Sequence, residues 1–492
     1  MRNPQTSALK RLLTACAATA LMLSGCSDIW EAKEVLQQTP VIFPDYTDVT
    51  LPPNIAPTNF QVEGAGHIQA QFHAEGMESF TVTGKEGIVD IPLDDWKRLL
   101  AQAQGKSIRV EVSVWNGQYP QGVKYQPFEM NVATEAMDPW IAYRLIEPGY
   151  QGWRQLGIYQ RDISCFDEVD IITNKGSKSA CINCHHFPNY SAQKMMFHAR
   201  GDNGGTILYT DGKTHKVNID KIGPKKGAAY PSWHPEGRLI AFSSNTTRQT
   251  FFGQGQQPIE VYDKGSDLII YDTEANEVIT DPRFMTQEVM ETYPHWSPDG
   301  KTLYYVASDF KNLPVEREEV HYHLMRIPFD AKTRTFGEQA DTLYNAHTQG
   351  GSVSYPRVSP DGRYMLYTHS SYGTFPIWHP EADLQMLDLQ TLQPVDIRIW
   401  NDKEQADSYH AWSSNGRWVM YGSRRLDGRY TRLYMAYWDP QGKPHKPFLL
   451  PQKDPRHNTW RLKSYNVPEF ILDRVELPEG TDELFECEDK LL

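Results

Sequence analysis

Basic charge, long apolar stretches, cysteine and the common catalytic signatures are all in short supply in this chain. Its 492 residues hold 49 Lys and Arg against 62 Asp and Glu, a formal charge of −13. Residues 1–25 carry three of the cations, Arg2, Lys10 and Arg11, so without them the charge is −16. Such a chain gains nothing from counterion release on a phosphate backbone, which argues against nucleic acid and leaves room for a basic protein partner. The sustained apolar run from Leu12 to Leu23 is too short to span a bilayer stably. No nucleophile elbow is present, because Gly350-Gly351-Ser352-Val353-Ser354 fails at its last position, and H-E-x-x-H and P-loop motifs are missing. What the chain has in quantity is 13 Trp, 26 Tyr, 34 Gly and 33 Pro, the make-up of an aromatic, turn-rich β protein.

The N-terminus reads as an export signal: Lys10-Arg11, the apolar run, then Leu23-Ser24-Gly25-Cys26. Leu-Ser-Gly-Cys resembles a bacterial lipobox, which would make Cys26 the lipidated first residue of the mature chain. The alternative is an ordinary secretory signal cleaved nearby. Either places the protein in the bacterial cell envelope on the periplasmic side, and Ser27 after the lipidated Cys favours the outer membrane.

The six cysteines can then be assigned one by one. Cys16 leaves with the signal and Cys26 takes lipid. Cys181-Ile182-Asn183-Cys184-His185 is the C-x-x-C-H of the chain. Two thiols at this spacing can each add across a haem vinyl group, and the following His is held against the iron. A redox dithiol would want a βαβ context, and a zinc site a second C-x-x-C or H-x-x-x-H; the sequence offers neither. The expectation is one covalent haem c on Cys181 and Cys184 with His185 as an axial ligand. Cys165 and Cys487 remain, either paired in a disulfide in an oxidising compartment or as two buried thiols.

Residues 26–58, with Pro40, Pro44, Pro52, Pro53 and Pro57, read as a lipidated tether. Residues 59–135 alternate with period two between Gly and Pro, as in a small Ig-like β-sandwich, interrupted by a predicted helix at 93–104 around Trp96, Leu99, Leu100 and Ala103. Residues 136–492 form the main domain, with a haem loop placed at 175–200. Within it a unit recurs. Tyr230-Pro231-Ser232-Trp233-His234-Pro235-Glu236-Gly237, Tyr293-Pro294-His295-Trp296-Ser297-Pro298-Asp299-Gly300 and Tyr355-Pro356-Arg357-Val358-Ser359-Pro360-Asp361-Gly362 each lead into an aromatic-aliphatic strand. A degenerate copy starts at Tyr409, and an earlier one lacking the turn is placed at Asn189. The starts lie 40, 63, 62 and 54 residues apart, one four-stranded blade plus insertions. No blade can bury both faces alone, so the array must close on itself.

These copies resemble the repeat of TolB-like propellers, an aromatic followed by W-S-P-D-G-K and an apolar strand, over about residues 189–440. The resemblance implies an all-β chain with about six blades, the segments before the haem motif and after Trp460 supplying the closing one. The chain does not run on far enough for the hydrolase domain that follows some propellers. Insertions at 246–265, 310–320 and 372–382 occupy equivalent repeat positions and so emerge on one face, carrying Phe251, Phe252, Phe375 and Trp378.

The sixth haem ligand decides between electron transfer and small-molecule chemistry. Met195, Met196 and His198 are the near candidates; His234 and His410 are remote ones, and an open position is the other outcome. Met195 and Met196 point oppositely on a strand, so only one can face iron. His321 and His323 share a strand face, which reads as exposed strand histidines before it reads as a metal site. Arg200, Arg248, Arg424 and Arg425 follow comparable strands and could ring a pocket for an anion such as a haem propionate. Three roles are compatible with these residues: a lipid-anchored monohaem cytochrome exchanging electrons with a redox partner or envelope complex, a small-ligand haem sensor or enzyme, and an interaction scaffold stapled by haem.

Overall fold

The computed structural model describes residues 30–147, 155–176, 180–201, 204–225, 227–255 and 257–485. Six antiparallel blades, five of four strands and the fourth of five, form a β-propeller. Blade 1 takes its three outer strands from Trp140–Ile146, Gly157–Asp162 and Glu168–Thr173, and its innermost strand from Ser464–Ile471 near the other end of the chain. The two segments expected to supply the closing blade therefore pair directly, Trp140 against Ile471 and Leu145 against Tyr465. Blades 2 to 6 follow in order, with innermost strands Cys181–His186, Ala229–Trp233, Val289–Trp296, Ser352–Val358 and Asp407–Trp412.

Local chemistry explains the repeat. In blade 4 the Ser297 hydroxyl donates to Asp299 Oδ1 at 2.6 Å, and that carboxylate accepts from the Lys301 amide at 3.1 Å. Gly300 then takes φ 70°, a conformation that L side chains rarely adopt, and a Cβ there would also meet the His234 ring. The tryptophan of the motif fills the space between blades: Trp296 is buried and its Nε1 donates to the Ser232 carbonyl of blade 3 at 3.0 Å. Removing such a ring costs about 3–5 kcal/mol.

Separate apolar clusters glue blades 1 to 2, 2 to 3, 3 to 4, 4 to 5 and 5 to 6. The seam between blades 6 and 1 is different, because its core is continuous with that of the N-terminal domain. Trp418 Nε1 donates to the Glu135 carbonyl at 3.0 Å, and the Ser414 amide to Asp138 at 2.7 Å, so this domain braces the point where the ring closes.

Three expectations change. The N-terminal domain is one seven-stranded sheet with a two-stranded ribbon and the helix Leu93–Ala103 in its core, rather than two packed Ig-like sheets. Strand Ser107–Trp115 pairs with three neighbours, which widens a single sheet instead of splitting it in two. Residues 34–58 are not a free tether. Glu34–Val35 and Thr50–Leu51 add parallel strands to that sheet, and Tyr46, Val49, Leu51 and Ile55 are buried, so the prolines shape a packed segment. The C-x-x-C-H segment, lastly, lies on a wall strand of the propeller and not in the loop expected at 175–200. Cys26 and Cys487 lie outside the described residues, and with them the lipidation and the Cys165–Cys487 pairing.

Candidate functional site in the propeller bore

Each innermost strand slips its register once, and the slip falls at the same repeat position in all six blades. The bulged pairs are Cys184-His185, Tyr230-Pro231, Tyr293-Pro294, Tyr355-Pro356, Tyr409-His410 and Val467-Pro468. The first residue of every pair has φ between 46° and 54°, a strained region for non-glycine residues that clusters at functional sites. The C-x-x-C-H segment is thus the blade 2 copy of Tyr-Pro, with Cys184 in place of tyrosine and His185 in place of proline. This corrects the register of the earlier copy lacking the turn, which begins at Cys184 and not at Asn189. Its turn is built differently, with Asn189 and Tyr190 at positive φ where the other copies use Gly.

The bulges surround a cavity of about 570 Å³ along the bore, a size suited to a small molecule or cofactor. Its wall is tiered. One tier is Cys184, Tyr230, Tyr293, Tyr355, Tyr409 and Val467, four of whose rings touch in an arc with centroids 4.2, 4.5 and 4.6 Å apart. Two residues further along each strand lies a second tier: His186, Ser232, His295, Arg357, Ala411 and Glu469. Residues of both tiers line the same cavity, the bulge between them interrupting the strict alternation of the strand. The first lies nearer the insertions and the second nearer the Asp-Gly turns.

The wall is rich in buried polar atoms without partners. His185 is 1% exposed, and neither ring nitrogen makes a hydrogen bond; Glu469 Oε1 is 3.6 Å from Nε2. Burial, aided by the Arg144 guanidinium and only partly opposed by the Val467 backbone, lowers its pKa to about 3. Burial does the same to His186 and His410, to about 3, and holds His295 well below the ordinary imidazole value; Arg357 adds to all three. The Nδ1 atoms of His186, His295 and His410 are unpartnered. Burial also pushes Glu469 up to about 8, its only hydrogen bond coming from the Phe187 amide at 3.3 Å.

Arg144, Arg200, Arg357 and Arg424 line the cavity, and none pairs with a described carboxylate within ion-pair distance. Of the four arginines singled out from the sequence, Arg200 and Arg424 reach the cavity. Arg425 is tied to Asp407 at 2.8 Å, and Arg248 lies exposed on a hairpin. Arg424 stacks on Trp378, 3.4 Å from the ring centroid, and burial lowers its pKa to about 9.

The near candidates for a sixth ligand do not border the cavity. Met195 packs between blades 1 and 2 and Met196 between blades 2 and 3; His198 faces Phe242 and bonds Thr206 at 3.0 Å. His234 is held by the Gly300 carbonyl at 3.0 Å, whereas His410 does border the cavity. His321 is tied to the Gly351 carbonyl, His323 accepts from the Ala346 amide, and no group of three metal-ligating side chains is found among the described residues. Cys184 is in the cavity wall. Cys181 sits behind it between blades 1 and 2, its Sγ 3.6 Å from Nη2 of Arg144. His186, His295, Arg357 and Glu469 form a tier that single-motif reading missed. Stacking the copies on one another finds it, because the x of Tyr-Pro-x-Trp is the tier position.

The insertions close over the mouth. The long hairpin of blade 3, Leu239–Phe251 with Ile259–Asp272, crosses to the blade 5 insertion. There Glu260 pairs with His379 at 3.2 Å and accepts from Tyr372 and Gln257, and His379 also faces Glu381 at 3.3 Å. Arg317 of blade 4 lies 5.5 Å from the Phe252 ring centroid. Thr247, Gln249, Phe375 and Trp378 from these insertions share the cavity wall with the C-x-x-C-H strand.

No family model matches the chain. An uncharacterized protein of Agrobacterium fabrum is 24% identical over 196 residues, which cover 35% of this chain and 60% of that one. The chain thus spans less than two thirds of that relative. Among solved structures, an oligogalacturonate lyase in complex with manganese aligns over 64% of this chain and 74% of its own, at 12% identity and a TM-score of 0.35. A puromycin-hydrolyzing peptidase of Mycobacterium tuberculosis covers 71% and 52% at 12% identity and TM-score 0.38. The periplasmic gluconolactonase of Pseudomonas aeruginosa covers 64% and 97% at 12% identity and TM-score 0.32.

Proposed function

We propose that this is an exported, lipid-anchored monohaem c-type cytochrome, built on a TolB-like propeller, that passes electrons to or from a redox partner in the bacterial envelope. The observation that carries the reading is His185: a buried imidazole whose two nitrogens make no close hydrogen bond, Glu469 lying 3.6 Å from Nε2, next to a C-x-x-C pair and a cavity large enough for a cofactor. A buried polar side chain without partners is costly, and such groups are rare outside sites with a function.

The surrounding residues fit a haem at most points. Cys184 and Cys181 would carry the thioethers and His185 would ligate the iron. Arg144, Arg200, Arg357 and Arg424 supply charge for the two propionates, and the tyrosine arc supplies an apolar wall. Cys181 is the exception, since Arg144 must turn aside for its thiol to reach the bore. A bound haem supplies one-electron chemistry at a potential set by its ligands and by burial. The chain's own part is to fix His185 on a strand, keep it neutral and able to ligate, and exclude water through the interlocked insertions. His295 on blade 4 and His410 on blade 6 replace Met195, Met196 and His198 as the side chains that border the bore and could serve as a further ligand. The lipid on Cys26, by its lipobox, would hold the propeller at the membrane, with Ser27 favouring the outer one.

Mass spectrometry of protein matured in a periplasm tests this. The expected result is one haem mass on the peptide carrying Cys181 and Cys184, lost in C181S/C184S. An unmodified peptide in the matured wild type overturns the reading. A low-spin spectrum indifferent to carbon monoxide marks electron transfer. A high-spin ferrous form that binds it marks the second reading, a small-ligand haem protein, which the donor-rich second tier favours.

A further inference from the structure

We propose that the second tier of the bore, centred on Arg357 with His186, Ser232 and His295, is a receptor for an oxyanion: a carboxylate or a small inorganic oxoanion. Four wall strands deliver these side chains to equivalent positions, so they converge on one level of the channel by construction rather than by the chance meeting of loops. Arg357 points a planar fork of donors into the cavity. Its Nη1 bonds only to the carbonyl of its neighbour Pro356, at 2.9 Å, and no described carboxylate lies within ion-pair distance. A half-buried guanidinium left in that state at a cavity wall invites a planar or tetrahedral anion, which it can grip with two parallel hydrogen bonds.

The neighbours point the same way. An imidazole without charge still presents one N–H, and the unpartnered Nδ1 atoms of His186 and His295 leave each ring free to choose which nitrogen donates. Ser232 Oγ accepts from the Trp296 amide at 3.3 Å, so its own proton is available. His410, 4% exposed and bonded through Nε2 to the Leu366 carbonyl, presents a third Nδ1 without a close hydrogen bond at the same wall. Arg144, Arg200 and Arg424 add positive potential, against the two carboxyl groups Glu147 and Glu469. A cation would meet donors on nearly every side.

Two sources can supply this chemistry: the propionates of a porphyrin held at Cys181 and Cys184, or a diffusible anion. Only the first rests on the function proposed above. The experiment uses the full chain made with haem and, in a host without c-type maturation, made without it. Inorganic phosphate and acetate are titrated into each by calorimetry. The haem-free protein is expected to bind at least one of them, and R357Q to weaken that binding about tenfold or more, roughly 1.4 kcal/mol. H295Q should weaken it several-fold, while R398Q, on the exposed rim, changes nothing. Binding that disappears when haem is present identifies the propionates as the occupant; binding that persists identifies a diffusible anion. Absence of any heat in the haem-free protein up to roughly 10 mM anion, about 3 kcal/mol of affinity, overturns the proposal. So does binding that neither R357Q nor H295Q alters, whereas failure to attach haem leaves this result standing and removes only the propionate arm.

Discussion

The mouth of the propeller and its bore bury polar groups to different degrees of satisfaction. At the mouth, Glu260 and His379 are each about 1% exposed, yet Glu260 is met by Gln257, Tyr372 and His379, and His379 Nδ1, which makes no hydrogen bond, still lies 3.3 Å from a second carboxylate, Glu381. In the bore, His185, His186, His295, His410 and Glu469 all keep buried atoms with no partner. The first arrangement is what holding three insertions together requires. The second is uneconomical for a scaffold and sensible for a site whose missing partners arrive with a ligand.

Four measurements bear on that contrast, beginning with the largest effect. C181S/C184S should abolish covalent haem at the bore completely by mass spectrometry, with the mouth still folded; retained haem would separate the motif from the cavity. Next, E260A leaves His379 facing Glu381 alone and should cost about 3–5 kcal/mol in denaturant unfolding, the usual penalty for breaking a buried pair. An effect near zero would make the mouth no better satisfied than the bore. Third, the two carboxylates raise His379 to about 9 despite burial, which by itself lowers it. The unfolded group titrates near 6.5, so this contribution is fully present below pH 6.5 and disappears as pH rises through about 9. Stability should therefore decline across that window, and H379Q should flatten the decline. Fourth and smallest, H295L in haem-free protein should be neutral or stabilising by about 1 kcal/mol, because it removes a buried donor with nothing to bond. A loss of several kcal/mol would show that His295 is structural.

The propeller was legible because its blades repeat local chemistry. Ser297, Asp299 and Gly300 make their turn within a few residues, and the tryptophan directly before it must find an interblade slot. The closing strand at 464–471 was legible only as a leftover, since Val467-Pro468 keeps the bulge but loses the tyrosine. Blade 2 was misread by five residues for the same reason. Cys184-His185 fills the Tyr-Pro position with different side chains, and a bulge is a backbone property that residue identity only partly encodes. Residues 34–58 were misread because proline marks both free linkers and the irregular edges of a sheet, and only the partner strands at 123–124 and 131–132 distinguish them. The donor tier was hidden for a subtler reason: its members lie about 60 residues apart in sequence and differ in type, and they meet only once the ring has formed.

The way the ring closes has a consequence for assembly. The strand at 464–471 is synthesised after the other five that wall the channel, so until it docks the ring of blades lacks one side of its wall. If the bore holds a haem as proposed, that open side would let a flat, bulky guest enter laterally and be fastened to Cys181 and Cys184, with no need to thread a finished tube. The last strand, with Glu469 beside His185, would then shut the guest inside, and the N-terminal sheet bolts the gate from without.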